Sequence, residues 1–275
     1  MIKNLEHIFK NSQEKIIESF SKVEKSNAAR TTFDKWKRPE GGGGQTFVIE
    51  SGAFFDNCAV NFSSISGKKL PKAALGNALV KSSNNGYQAM GLSVISHPKN
   101  PYIPTSHLNI RLFCILDRNK EIREWWAGGG YDLTPYISFK SDNIKWHDDA
   151  KALLNSYNKS FYKKFSKNCN EYFFIPHRNE RRGVGGIFFD NKQYKSIDSS
   201  INFLEAIAKT YLSSYKELIN KRKKETFTKE DKQFQEIRRG RYVEFNLVND
   251  RGTCLLYTSD AADEGLGVDL GGRRI

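Results

Sequence analysis

The segments YQAMGLSVISHP (87–98) and HLNIRLFCILD (107–117) decide the fold of this chain. Both are rich in β-branched and aromatic residues, which fit the half-buried surface of a β-sheet. They are separated by a short proline-containing loop that begins with the turn residues Lys99-Asn100-Pro101. Strands joined by so short a connection are expected to pair antiparallel. The two segments therefore predict neighbouring antiparallel strands.

Similar short runs on either side predict further strands at TFVIE (46–50), AFFDNCAVNF (53–62), YDLTPYISF (131–139) and GVGGIFFD (183–190). Residues 242–248 alternate more cleanly than any other segment, which also predicts a strand. Residues 38–44 contain four glycines, whose backbone entropy disfavours regular structure, so this stretch is predicted to be a loop.

Apolar residues at helical spacing predict helices over 3–25, 143–168 and 198–221. Together with the strands, they indicate an α+β fold, with a large, mostly antiparallel β-sheet flanked by helices on both faces. At 275 residues, the chain is long enough to bury a core without disulfides or a structural metal. We therefore expect one domain.

The composition restricts the compartment and the partners. Lys and Arg number 44 against 31 Asp and Glu, and the net charge of +13 favours an acidic partner such as a nucleic acid, an anionic membrane surface or a small polycarboxylate. The four cysteines contain no C-x-x-C pair, which predicts reduced thiols in the cytoplasm rather than a zinc knuckle or redox site. The charged N-terminus and the lack of an 18-residue apolar run predict neither a signal peptide nor a membrane span.

His107, Asn109 and Arg111 stand at alternate positions of one predicted strand, so their side chains are expected on one face of the sheet. A histidine transfers protons near neutral pH, an arginine binds a carboxylate through two hydrogen bonds, and an asparagine orients either group. Taken alone, each of these residues would more often have a structural role. The shared face makes the three a candidate site.

A second candidate lies in WWAGGGYDLTP (125–135), where three glycines beside two indoles suit a flat apolar ligand, with Asp132 at its edge. The alternative interpretation is a bulge or tight bend in which Asp132 caps a turn. The basic, glycine-rich stretch 177–186 lacks the residue order of a phosphate-binding loop, and no zinc-finger or RNA-recognition motif is present. Nucleic-acid binding would therefore depend on charge alone.

Several long segments together resemble the aerobic coproporphyrinogen III oxidase family, the oxygen-dependent enzymes of haem biosynthesis. They are RPEGGGGQT (38–46), NFSSISGKKLP (61–71), QAMGLSVISHPKNPYIPTSHLNIR (88–111), WWAGGGYDLTPY (125–136), YFFIPHRNERRGVGGIFFD (172–190) and RRGRYVEFNLVNDRGT (238–253). The resemblance covers residues 1–253 as a single, C-terminally incomplete domain. Residues 254–275 do not match it and are interpreted as a foreign tail.

The resemblance implies a homodimer and a reaction. In that reaction, two propionate groups of coproporphyrinogen III are oxidatively decarboxylated to vinyl groups, giving protoporphyrinogen IX, CO2 and H2O2 with O2 as acceptor and no organic cofactor. By motif, the resemblance assigns proton donation to His107 and contact with the pyrrole N–H groups, as a hypothetical base, to Asp132. A free aspartate, with a pKa near ~4, is a weak base for that step. The substrate-binding residues that it implies are Ser93, Asn109, Ile110 and Arg111.

Some members of the family are described with a divalent metal, and the matching residues in this chain are His97, His107, His147 and His177. Imidazoles suit transition metals, but these four residues are dispersed without the spacing of a ligand pair. Proton donation and metal binding also compete for His107. The sequence therefore does not decide whether the reaction needs a divalent metal, and we expect the metal-free route.

Two other functions compete with an oxidase. A non-catalytic tetrapyrrole carrier would use the same arginine and aromatic side chains without redox chemistry. A nucleic-acid module would show affinity that falls steeply with salt, and we expect no nucleic-acid partner.

Overall fold

The computed structural model describes residues 2–24, 29–70 and 86–250. The predicted tail at 254–275 lies outside the described residues. The described strands, in chain order, are β1 (Arg30–Lys37), β2 (Gly42–Glu50), β3 (Phe55–Gly67), β4 (Gly86–Pro98), β5 (Thr105–Leu116), β6 (Ile122–Thr134), β7 (Phe174–Ile175), β8 (Glu180–Arg181) and β9 (Gly185–Lys192). The described helices are α1 (Ile2–Val23), α2 (Lys140–Tyr157), α3 (Phe161–Tyr172), α4 (Ile197–Arg222) and α5 (Lys229–Val248). No helix in these ranges is both long and apolar enough to cross a membrane.

Seven strands form one sheet in the order β1-β2-β3-β4-β5-β6-β9, and every neighbouring pair is antiparallel. The two strands predicted from 87–98 and 107–117 lie next to each other at its centre as β4 and β5. β7 and β8 form a separate two-stranded ribbon. The predicted large antiparallel sheet is confirmed.

One face of the sheet is covered by helices and forms the core. Leu108, Ile110 and Leu112 alternate along β5, are fully buried and belong to one hydrophobic cluster with side chains of α1 and α4. Phe20 of α1 packs on Phe55 of β3 with 5.1 Å between ring centroids. Residues of β5 at even positions therefore anchor the sheet to the helices.

The other face, which carries His107, Asn109 and Arg111, is called here the open face. The first two side chains are half-buried and Arg111 is exposed. Helix α5 lies against one end of this face, where the ring of Tyr242 meets the ring of His97 edge-on at 5.4 Å between centroids. Helices therefore flank both faces of the sheet, as predicted.

The strand predicted at 242–248 is wrong, because these residues form the last turns of α5. A capping box begins this helix: the Thr228 side chain accepts from the Asp231 N–H, and the Asp231 carboxylate accepts from the Thr228 N–H. The buried residues Gln235, Tyr242 and Phe245 then recur at spacings of seven and three, which place them on one side of a helix. The alternation within 242–248 is too short to determine the structure, which follows the helical spacing of the buried residues over the whole of α5.

Other boundaries also differ from the sequence predictions. Residues 143–168 lie in two helices, α2 and α3, separated at Asn158, whose backbone is extended and whose carbonyl side chain accepts from the Ser160 N–H. The predicted loop at 38–44 extends only to Gly41, since β2 begins at Gly42. β6 begins at Ile122 instead of 131, and β1 was not predicted.

The glycines of β6 are required by close strand packing. Gly130 has φ 154°, and a Cβ there would collide with the carbonyl oxygen of Ile187 on β9. We expect Gly130→Ala to lower the free energy of unfolding by about 1–3 kcal/mol. Gly240 in α5 has open space around a Cβ, so Gly240→Ala should instead raise stability by about 0.5–1 kcal/mol. Denaturant unfolding of both variants measures these free energies. If both variants are stabilised, or both destabilised, the explanation by close strand packing is contradicted.

Candidate active site

A histidine and an aspartate face each other across β5 and β6. His107 and Asp132 are register partners, and His107 Nδ1 lies 3.2 Å from Asp132 Oδ1. The His107 side chain is 29% exposed, whereas that of Asp132 is 1% exposed. An ionised carboxylate accepts from Nδ1–H, so this contact leaves His107 Nε2 as the ring nitrogen available to a ligand.

The second carboxylate oxygen of Asp132 binds a buried arginine. Arg182 Nη2 donates to Asp132 Oδ2 at 2.8 Å, and Nη1 donates to Asn246 Oδ1 at 2.8 Å. The guanidinium carbon lies 4.0, 4.3 and 4.8 Å from the ring centroids of three aromatic residues, Phe173, Tyr242 and Phe245. This aromatic enclosure holds the cation out of water against the carboxylate.

The pKa of Asp132 is lowered by this pair. Burial alone would raise the pKa of the carboxyl group, but the Arg182 cation and the hydrogen bond from His107 outweigh burial and lower it below its usual value. A carboxylate with a lowered pKa is a weaker base than free aspartate. Both oxygens of Asp132 are also already bonded, to His107 and Arg182, which suits a residue that orients His107; its contact with pyrrole N–H groups stays a prediction.

Other predicted binding residues lie on the same open face. Ser93 of β4 is the register partner of Asn109, which is two residues from His107 along β5. Asn109 Oδ1 is buried without a hydrogen-bond partner among the described residues. Asn61 of β3, the register partner of Ser93 on its other side, also has a buried Oδ1 without a described partner. This row of the sheet therefore holds two amide oxygens without a described partner, and an N–H donor on the open face reaches them only if the amide side chains turn outward.

Ile110 is placed differently from its neighbours. Its side chain is 1% exposed and lies in the core on the helix-covered face. A ligand on the open face therefore has no access to this side chain, and Ile110 can act there only through its main chain.

Arg111 lies two residues beyond Asn109 and is paired with an aspartate that the sequence patterns did not single out. Its Nη2 lies 2.8 Å from Asp190 Oδ1 on β9, and both side chains are close to half exposed. Arg182 was also missed as an individual site residue, although it lies within the basic glycine-rich stretch 177–186. Its burial depends on Tyr242 and Phe245 of α5, which lie in the segment 242–248 that the sequence patterns predicted to be a strand.

The four histidines implied as metal ligands do not form one group. His97 contacts Thr105 Oγ1, His107 contacts Asp132, His147 contacts the Val184 carbonyl oxygen, and His177 contacts Glu244. Residues 2–24, 29–70 and 86–250 contain no cluster of three or more His, Cys, Asp or Glu side chains that could hold a metal ion. The residues present in one chain therefore do not fit the implied four-histidine site.

His97 is expected to make stability depend on pH. Burial, together with the nearby Arg239 and Arg182 cations, lowers the pKa of His97 to about 3, although Asp56 opposes the shift. The unfolded chain therefore takes up this proton first, so stability present above about pH 6.5 is lost as the pH falls towards 3.

At about 1.4 kcal/mol per pH unit, the loss from this group between pH 7 and pH 5 should be about 2 kcal/mol. Urea unfolding with chelator present at both pH values should show the loss in wild type and a smaller loss in His97→Asn. An identical pH dependence in the two proteins would refute the assignment.

One comparison with known proteins bears on this site. The family model described as coproporphyrinogen III oxidase matches residues 4–264. The match spans the open face and every residue placed on it above.

Proposed function

The chain belongs to the coproporphyrinogen III oxidase family, and from this premise we propose that it catalyses the O2-dependent conversion of coproporphyrinogen III to protoporphyrinogen IX. The family supports an oxidoreductase role in porphyrin and haem biosynthesis by oxidative decarboxylation. In the proposed reaction, each of two propionates loses CO2 and the hydride equivalent from its β-carbon, which leaves a vinyl group. For each propionate, one O2 accepts the two electrons and the proton of the hydride and, with one further proton, becomes H2O2, so that two O2 are used and two H2O2 are formed in all.

The observation that carries the proposal is the shared open face of β4, β5 and β6. His107 with Asp132, Asn109 with Ser93, and the exposed Arg111 lie in successive rows of this one face, two residues apart along β5. A tetrapyrrole with four carboxylate arms and inner N–H groups needs a cation, hydrogen-bond acceptors and an apolar surround. The open face carries the Arg111 cation and amide side chains, and next to them the rings of Phe113 and Trp126 stack with 4.6 Å between centroids.

We propose that His107 donates the proton that completes the peroxide product. Asp132 is buried with both oxygens bonded, so it acts through His107 by holding the imidazole and stabilising its protonated form. Ser93 and Asn109 bind the macrocycle from the neighbouring row, and Arg111 binds a propionate carboxylate through its guanidinium group.

Aerobic incubation with coproporphyrinogen III tests the proposal directly. We expect protoporphyrin fluorescence after oxidation of the product, together with release of CO2, and no product when O2 is excluded. Stoichiometric binding without CO2 release would instead favour the non-catalytic tetrapyrrole carrier. Product formed equally without O2 would remove the oxygen dependence.

The assembly, the compartment and the metal requirement are three further parts of the proposal. We propose a homodimer, which light scattering of the purified protein tests. The described cysteines Cys58, Cys114 and Cys169 are buried and unpaired, which supports a reducing compartment such as the cytoplasm. We propose a metal-free reaction, which loss of activity on chelation and recovery with a divalent ion would overturn.

A further inference from the structure

The side chain of Arg111 lies across the neighbouring strand instead of extending away from the sheet. Its register partner on β6 is Gly128. A Cβ at Gly128 would lie 2.8 Å from Arg111 Nε and 3.1 Å from Nη2. The arginine therefore occupies the space that any larger residue at position 128 would fill.

The far end of the arginine is held by β9. Arg111 Nη2 lies 2.8 Å from Asp190 Oδ1, which also accepts from the Asn191 N–H at 2.9 Å. The guanidinium group thus reaches over one complete strand, since neighbouring strands are about 4.8 Å apart. Gly128 on β6 and Asp190 on β9 together determine the position of the Arg111 guanidinium group.

A backbone irregularity occurs at the same place. The register of β6 and β9 shifts between Ala127 and Gly129, so that β9 carries one extra residue. Asn191 has φ 51°, in the left-handed region that is unfavourable for most side chains. Bulges of this kind redirect side chains and are frequent next to functional sites. Here the bulge follows the residue that holds the arginine.

The pair leaves most of the guanidinium group unused. Asp190 takes one of the five N–H donors of an arginine, and the Arg111 side chain is 45% exposed. A second carboxylate can therefore still bind through two parallel hydrogen bonds. Because the arginine is already held in place, little side-chain entropy is lost when that carboxylate arrives.

We propose that Gly128 and Asp190 are positioning residues that lay Arg111 across β6 and so create a subsite for one propionate carboxylate of the substrate. This inference rests on the proposed function and specifies its substrate contact. The site acts by binding, so its loss should raise KM while leaving kcat nearly unchanged.

Gly128→Ala and Asp190→Asn test the proposal. The first displaces the ends of both Arg111 and Asp190, each of which has an atom 2.8 Å from a Cβ at position 128, and the second removes the charge that holds Arg111. A charge-assisted hydrogen bond corresponds to about a 10- to 100-fold change in binding, so we expect KM for coproporphyrinogen III and the Kd for coproporphyrin, followed by fluorescence, to rise by about that factor in both variants. Gly91→Ala is the matched control, since a Cβ there would meet Arg111 only at ordinary contact distance, 3.9 Å from its Cβ.

The outcomes separate the two proposals. Unchanged KM and Kd in both variants, or a lower KM in Asp190→Asn, would overturn the positioning role while leaving the oxidase assignment intact. An equal rise of KM and Kd in Gly91→Ala would overturn it as well, because the effect would then not be specific to the β6 side of Arg111. Wild-type protein that neither binds coproporphyrin nor forms product would overturn both proposals.

Discussion

Replacement of His107 by asparagine is expected to lower kcat for coproporphyrinogen III by about 10²–10⁴-fold, the range that one acid–base group contributes. Asparagine retains a hydrogen-bonding group opposite Asp132 but supplies no proton near neutral pH. Because His107 is half-buried at the sheet surface, the variant should still fold and bind coproporphyrin. Steady-state kinetics with a parallel fluorescence titration of coproporphyrin measure the two effects separately.

His147→Gln is the matched control for this substitution. His147 contacts the Val184 carbonyl oxygen and the Tyr162 hydroxyl, away from Asp132. We expect its kcat to remain near that of the wild type. If kcat falls alike in both variants and divalent ions restore neither, the special role of His107 is refuted; restoration by a metal would support the four-histidine site.

Replacement of Arg182 by methionine is expected to lower the free energy of unfolding by about 3–5 kcal/mol, because it leaves the buried Asp132 carboxylate without its cation. Urea unfolding at neutral pH measures the loss. Arg178→Met is the control, since this exposed arginine pairs with Glu244 at the surface and should change stability little. A small effect of Arg182→Met would show that water reaches Asp132 readily.

The double variant Asp132→Asn/Arg182→Met should recover part of the stability that Arg182→Met loses, because no unpaired charge then remains buried.

In the wild type, the folded pKa of Asp132 is lowered, so its contribution to stability is present above the unfolded pKa of about 4 and is lost as the pH falls through the folded value. In Arg182→Met, protonation of Asp132 instead relieves the penalty. The difference in free energy of unfolding between the wild type and Arg182→Met should therefore become smaller as the pH falls below about 4.

The central strands and the shared face could be predicted because they follow from local rules. Alternating residues of one strand lie on one face, which placed His107, Asn109 and Arg111 together before the sheet was known. The same rule failed at 242–248, which continue a helix that begins with the capping box of Thr228 and Asp231, more than ten residues upstream. Short alternating patterns do not distinguish a strand from the end of a long helix.

The residues that contact Asp132 and Arg111 could not be predicted from local sequence patterns. Arg182 meets Asp132 only because β9 follows β6 in the sheet and α5 returns to enclose the guanidinium group. Asp190 meets Arg111 because Gly128 leaves room for a side chain to cross a strand. Both contacts join segments more than 45 residues apart, so neither composition nor spacing could reveal them.

The enclosure of Arg182 by rings from α5 couples distant events thermodynamically. Lifting α5 from the sheet would admit water to the ion pair, and adding a proton to Asp132 would remove the charge that holds Arg182 against Tyr242, Phe245 and Asn246 of the helix. Each event lowers the free-energy cost of the other. A ligand that favours ionised Asp132 through His107 thus also slows hydrogen exchange in α5, so the amides of this helix report occupancy of a site that the helix itself does not have to touch.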